Sequence, residues 1–130
     1  MTEGGCHCGE IRYRVTGRAL NSLLCNCAAC RGTSGAQNIA FFMVKNDAFR
    51  WVRGTPKYYA SSPGVRRGFC ADCGTTLSYQ GDLIPGLIDI TVGSLDDPDA
   101  FPAEAHVNDE QAVAWTRHVD DLPRFAVFPE

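Results

Sequence analysis

The 130-residue chain predicts a mostly β domain made of short antiparallel sheets held together by zinc. Three observations carry that expectation. Apolar residues alternate over short runs, turn residues separate every run, and seven cysteines are crowded into three small groups. Helix is disfavoured by the same pattern. No apolar 3.6-residue period lasts the roughly ten residues that a well-defined helix needs, and 13 glycines and 7 prolines punctuate the chain.

The elements follow in order. In "EIRYRVTG" Ile11, Tyr13 and Val15 share one face and Arg12 and Arg14 the other, the period of a half-buried strand. "NIAFFMV" is rich in strand formers, and "AFRWVRG" alternates Phe49 and Trp51 against Arg50 and Val52. "TTLSYQG" reads as a short strand ending in glycine, and "GLIDITVG" alternates Ile88, Ile90 and Val92. Short helical turns fit near "DDPDAF" and "DLPRF". Asp96, Asp97 and Asp99 beside Pro98 read as turn chemistry rather than as a carboxylate site. With 45% hydrophobic residues and no repeat or linker-like stretch, residues 1–130 are expected to form one domain.

Composition narrows the function. No apolar run approaches the length that crosses a bilayer, and "MTEGGCHCGE" lacks the basic and apolar segments of a secretory signal, so a cytoplasmic protein without a membrane partner is expected. In a reducing compartment an odd number of cysteines points to metal rather than to disulfides. A net charge of −3 with scattered arginines argues against a nucleic-acid surface. Thiolates bound to zinc would carry the charge further from one.

The cysteines divide into "CHCG" with Cys6 and Cys8, "CNCAAC" with Cys25, Cys27 and Cys30, and "CADCG" with Cys70 and Cys73. In the first and third groups a glycine, Gly9 or Gly74, follows the last cysteine and permits the positive φ of a tight turn around a metal-bound sulfur. Zinc at about 2.3 Å from each sulfur holds neighbouring sulfurs roughly 3.8 Å apart, so two close pairs from distant loops complete a four-thiolate cage. Cys6, Cys8, Cys70 and Cys73 form that structural set. Cys25, Cys27 and Cys30 remain as three ligands with an open fourth position, the pattern of a zinc that does chemistry. Two zinc ions per chain are therefore expected.

Three other readings stand beside this one. The cysteines could be buried core residues, or a redox dithiol in "CAAC" or "CADC", for which the sequence displays no strand-to-helix context. The three-cysteine group could also be closed by a histidine, with His106 the first suspect and His118 the second. His7 lies between two cysteines in an extended stretch and points to the opposite face, so it is not expected to be a ligand.

The order "GGCHCGEIRY", "CNCAACRGTSG", "GFCADCGTTL", "TVGSLDDPDAF" and "AHV" followed by "AW" resembles the glutathione-dependent formaldehyde-activating enzyme family, which includes centromere protein V. The resemblance covers nearly the whole chain. It implies a β-tent fold, a structural zinc on Cys6, Cys8, Cys70 and Cys73, and a catalytic zinc on Cys25, Cys27 and Cys30. The implied activity joins formaldehyde and glutathione into S-(hydroxymethyl)glutathione, a carbon–sulfur lyase reaction in reverse. The family commonly has histidine where Asn26 stands and a second basic residue where Gly32 stands. By alternation Asn26 should point away from the metal.

Glutathione carries carboxylates, so its pocket should offer cationic groups and backbone amides. Arg31, Ser34 and Gly35 are the closest in sequence, with Arg66 and Arg67 as second candidates. A different class of function, a non-catalytic zinc-stabilised β module that docks a protein, separates from the enzyme by its three-cysteine site. A module would close that site with a fourth ligand.

Overall fold

The computed structural model describes residues 1–129 and is mostly β, as the alternation predicts. Strands β1 (Thr2–Gly5), β2 (Arg12–Val15), β3 (Asn21–Cys25), β4 (Ile39–Lys45) and β5 (Phe49–Arg53) occupy the first half, with one helix, α1 (Ala28–Ser34). Strands β6 (Lys57–Ser62), β7 (Val65–Phe69), β8 (Thr76–Gly81), β9 (Leu87–Thr91) and β10 (Ala105–Val107) follow. Two sheets result. One has the order β1-β2-β5, and the other runs β10-β3-β4-β9-β8-β7-β6. All pairings are antiparallel except that β10 lies parallel to β3.

The alternating strands face as their sequences dictate. Tyr13, Val15 and Phe49 of the small sheet pack against Phe42, Val44, Ile88 and Ile90 of the large one. Phe49 meets Trp51 edge-on at 4.8 Å between ring centroids, and the Tyr13 hydroxyl reaches Ser94 Oγ at 2.7 Å, so the buried phenol is paired. Fully burying each such side chain contributes about 1.5–3 kcal/mol.

Along β4, Phe42 and Val44 face this core while Phe41 and Met43 face the opposite side, where a cavity lies. Register builds that second face. Tyr59, Arg67, Tyr79, Asp89, Met43 and Asn21 stand opposite one another in a single row across six strands.

Several elements were not predicted. Strands β1, β3, β6, β7 and β10 lack a clean alternation; β6 is exposed along most of its length, and β7 sets Arg66 and Arg67 side by side. Helix α1 has seven residues and buries only Cys30, too little for a periodic signal. It is stabilised locally, with Cys27 as N-cap accepting from Cys30 N and Gly35 as a left-handed C-cap at φ 76°. The turn near Pro98 is a 3-10 turn capped by Asp97, and Asp96 pairs with Arg12. The carboxylates there do serve turn and surface chemistry. Residues Ala114–Asp121 form a longer 3-10 helix that ends on the first residue of "DLPRF". Among the described residues no helix is long and apolar enough to cross a membrane.

Candidate metal centres and cavity

The sulfurs of Cys6, Cys8, Cys70 and Cys73 lie within 4.8 Å of one another. Two similar knuckles bring them together, one between β1 and β2 and the other between β7 and β8. In the first, Gly9 N donates to Cys6 O and Cys6 N to Ile11 O; in the second, Gly74 N donates to Cys70 O and Cys70 N to Thr75 O. Gly9 at φ 83° and Gly74 at φ 82° occupy the left-handed region that closes each turn. The knuckles also touch directly, since His7 N donates to Thr75 Oγ1 at 3.0 Å. Cys6–Cys8 and Cys8–Cys70 sulfur separations of 3.5 and 3.8 Å suit a tetrahedral thiolate cage. The Thr75 hydroxyl holds the Cys73 thiol down at about 5, so one ligand of the set is already anionic at neutral pH. The His7 side chain is exposed and takes no part.

The second group, Cys25, Cys27 and Cys30, also has its sulfurs within 4.8 Å of one another, and Cys25 and Cys27 are 3.4 Å apart. Cys25 ends β3, Cys27 caps α1 and Cys30 lies in its first turn. The strand-to-helix context that the sequence did not reveal is therefore present. Each sulfur holds one N–H donor: Asn108 Nδ2 on Cys25 at 3.4 Å, Cys30 N on Cys27 at 3.3 Å, and Arg67 Nη1 on Cys30 at 3.6 Å. Three donors aimed at three sulfurs favour thiolates over thiols. The Cys25–Cys30 hydrogen bond pulls Cys25 down to about 5 and pushes Cys30 up, which leaves the trio partly ionised before any metal arrives.

Arg67 carries the strongest electrostatic statement. It is 6% exposed, its Nε donates to Ser61 Oγ at 2.9 Å, and its guanidinium lies 5.0 Å over the Tyr79 ring. Among the described residues no carboxylate pairs with it. A buried cation without a counter-charge costs several kcal/mol, so the negative charge must come from the sulfurs. Three thiolates around one divalent zinc would leave one net negative charge, which Arg67 would balance. The donor set fits zinc on that ground as well as on sulfur spacing.

All three sulfurs line a cavity of about 340 Å³ on the free face of the large sheet. Its walls are largely apolar, with Leu23, Phe41, Met43, Val65 and Val107 among them, and Arg67 and Asp89 bring charge. Burial first, and the charge of Cys25 second, push the Asp89 carboxyl up to about 6. Asn108 beside Cys25 is a non-glycine residue at positive φ, 53°, a backbone strain that asparagine tolerates best.

The predicted substrate contacts sit elsewhere. Arg31 Nη1 donates to the carbonyls of Asn26 and Gln111, both at 3.1 Å, which clamps α1 to the segment after β10. Ser34 Oγ donates to Cys30 O, and Gly35 caps the helix, so both close α1 at the end away from its sulfurs. Arg66 is exposed, whereas its neighbour Arg67 turns into the cavity. Asn26 does point away from the sulfurs. It is fully buried, and its amide bonds Leu24 O, Val107 O and His106 Nδ1 while accepting from Asn38. His106 is thus held on Asn26 rather than beside the thiols, and His118 pairs with Asp121 on the exposed C-terminal 3-10 helix. Among the described residues no histidine or carboxylate joins the three sulfurs. The sequence singled out neither Asp89 nor Asn108, because nothing local distinguishes an inward aspartate in "LIDIT" from an outward one.

The family model for the glutathione-dependent formaldehyde-activating enzyme matches residues 1–111. A Halomonas elongata protein named "Putative glutathione-dependent formaldehyde-activating enzyme" is 30% identical over 125 residues, which span 88% of this chain and 79% of that protein. The crystal structure of a Rhodobacter sphaeroides protein superposes with a TM-score of 0.65 at 24% identity, over 81% of this chain and 99% of the other. That last likeness is one of fold.

Proposed function

The chain belongs to the glutathione-dependent formaldehyde-activating enzyme family, and on that premise we propose a zinc-dependent enzyme of carbon–sulfur lyase type that joins a small thiol such as glutathione to formaldehyde or releases it from the adduct. The observation that carries the proposal is the convergence of three sulfurs, each with its own N–H donor, on the wall of a largely apolar cavity. Cys25, Cys27 and Cys30 are the ligands of the reactive zinc in this reading, and Cys6, Cys8, Cys70 and Cys73 those of a structural one. A zinc ion on the three thiolates supplies a Lewis acid that lowers the pKa of an incoming thiol or polarises a carbonyl.

The chain's own residues do the rest. Arg67 offsets the surplus negative charge of the thiolates, and so keeps the site from repelling an anionic sulfur. Asn108 and the Cys30 amide hold the other two sulfurs in place, and the apolar walls keep water from the reacting carbon. In the joining direction a sulfur–carbon bond forms, the carbonyl π bond breaks, and the proton lost by sulfur ends on oxygen. No redox step is required. Residues 1–130 act as one domain in this proposal, in a cytoplasm that keeps seven thiols reduced.

Cobalt substitution tests the reading. In protein loaded with two Co²⁺ ions, glutathione should change the visible spectrum of one ion and leave the other unaltered. A spectrum indifferent to glutathione and to other small thiols would instead favour a zinc-stabilised β module that docks a protein.

A further inference from the structure

Two charged side chains line the cavity, and only one of them is engaged. Arg67 is bound to Cys30, Ser61 and the Tyr79 ring. Asp89 has no hydrogen bond and no ion pair to its carboxylate among the described residues, although burial and the charge of Cys25 both act on it. Tyr79 stands between the two in the cross-strand row, so they do not neutralise each other. A half-buried carboxylate with unfilled acceptor sites in an apolar cavity is costly unless a ligand completes it.

Its position says which part of a ligand it meets. Asp89 is opposite Met43 on β4, whereas Cys25 is opposite Ile39. Four residues along a strand amount to about 13 Å, so the backbone of Asp89 is offset along the sheet from that of Cys25, while its carboxylate faces the same cavity close enough for the charge of Cys25 to act on it. A thiol with its sulfur at the three cysteines would bring the far end of a long arm to Asp89. The γ-glutamyl arm of glutathione, with a reach of roughly 10 Å when extended, ends in an α-carbon that bears both an ammonium and a carboxylate.

We propose that Asp89 receives the ammonium of the thiol substrate, so that the site selects thiols bearing a cationic amine on a long arm. The inference rests on the thiol-site reading above and deepens it. It also assigns the cavity a recognition charge opposite to the one expected for glutathione: the glycyl carboxylate turns outward to solvent, and the carboxylate beside the ammonium points away from Asp89. Asp89 acts as a specificity residue. A neutral amide at the same position keeps its shape and loses its charge.

Calorimetry on the zinc-loaded protein with glutathione and with N-acetylglutathione, in which a neutral acetamide replaces the ammonium, tests this, and Asp89→Asn separates the loss of charge from the added bulk. The wild type should bind glutathione roughly tenfold more tightly than the acetylated thiol, as for one partly desolvated, charge-assisted contact. Asp89→Asn should bring the two affinities within about twofold of each other while leaving that for N-acetylglutathione nearly unchanged. Equal affinities in the wild type, or discrimination that survives Asp89→Asn, would overturn the role of Asp89 while leaving the thiol site standing. If neither thiol binds, the thiol site itself is lost and this inference with it.

Discussion

Arg67 and Asp89 are neighbours of a kind, two strands apart in one row, and they meet opposite fates. The arginine is satisfied by sulfur and an aromatic face, whereas the aspartate is left to the cavity. The consequence for stability can be signed. Burial holds the folded Asp89 carboxyl at about 6, against the ordinary 3.8 of an aspartate, so the native state takes up the proton more readily than the unfolded chain. Stability attributable to Asp89 therefore falls as pH rises from about 4 through about 6, and the deficit is complete above that. Asp89→Asn should raise the unfolding free energy at pH 8 by about 1–3 kcal/mol, with the gain vanishing near pH 4. Urea titrations at the two pH values measure it. An asparagine variant less stable than wild type at pH 8 would mean that the carboxylate is paired in solution.

At the scale of elements, the two cysteine groups do different mechanical work. The paired knuckles clasp the β1–β2 turn to the β7–β8 turn and so join the two sheets. Metal bound there would be folding energy across more than sixty residues of chain, since Cys8 and Cys70 are 62 positions apart. The three-cysteine group closes a short loop between β3 and α1. Cys27→Ser also keeps an N-cap in place, because serine accepts from the helix amides at least as well as cysteine. Cys73→Ser should consequently lower the melting temperature much more than Cys27→Ser. Calorimetric melting of the two variants decides it, and the reverse order would exchange the structural and reactive assignments.

For the whole molecule, the large sheet is a partition with a packed core on one side and the cavity on the other. Loss of metal should therefore come in two steps with separate consequences. A chelator competing at rising concentration should first remove one zinc equivalent, with strand content unchanged by circular dichroism, because the three-ligand site holds its ion less tightly and the core does not depend on it. The second equivalent should leave together with cooperative unfolding. Simultaneous release of both ions in one unfolding transition would show that the cavity side is as essential to the fold as the clasp.

The mostly β class, the grouping of the cysteines and their division into four and three were legible in the sequence, because each rests on local spacing: alternation with a period of two, a glycine after a tight turn, and thiols one or two residues apart. The turn role of Asp97 and the turning of the Asn26 side chain away from the sulfurs were legible for the same reason. Helix α1 was not, since its stability comes from two caps and one buried cysteine rather than from a repeating apolar face. Asp89 was hidden, and Arg67 was legible only together with Arg66, as a second candidate for a substrate contact. Arg66 and Arg67 are adjacent and chemically alike, and only the register of β7 against β8 turns one outward and the other onto Cys30. Asp89 sits between Ile88 and Ile90, and only packing of those two into the core commits the aspartate to the cavity face. The members of each cysteine motif were set by residues near one another in the chain, while the union of Cys6 and Cys8 with Cys70 and Cys73 and the charge around the sulfurs were set by strands that meet only after the sheets have formed.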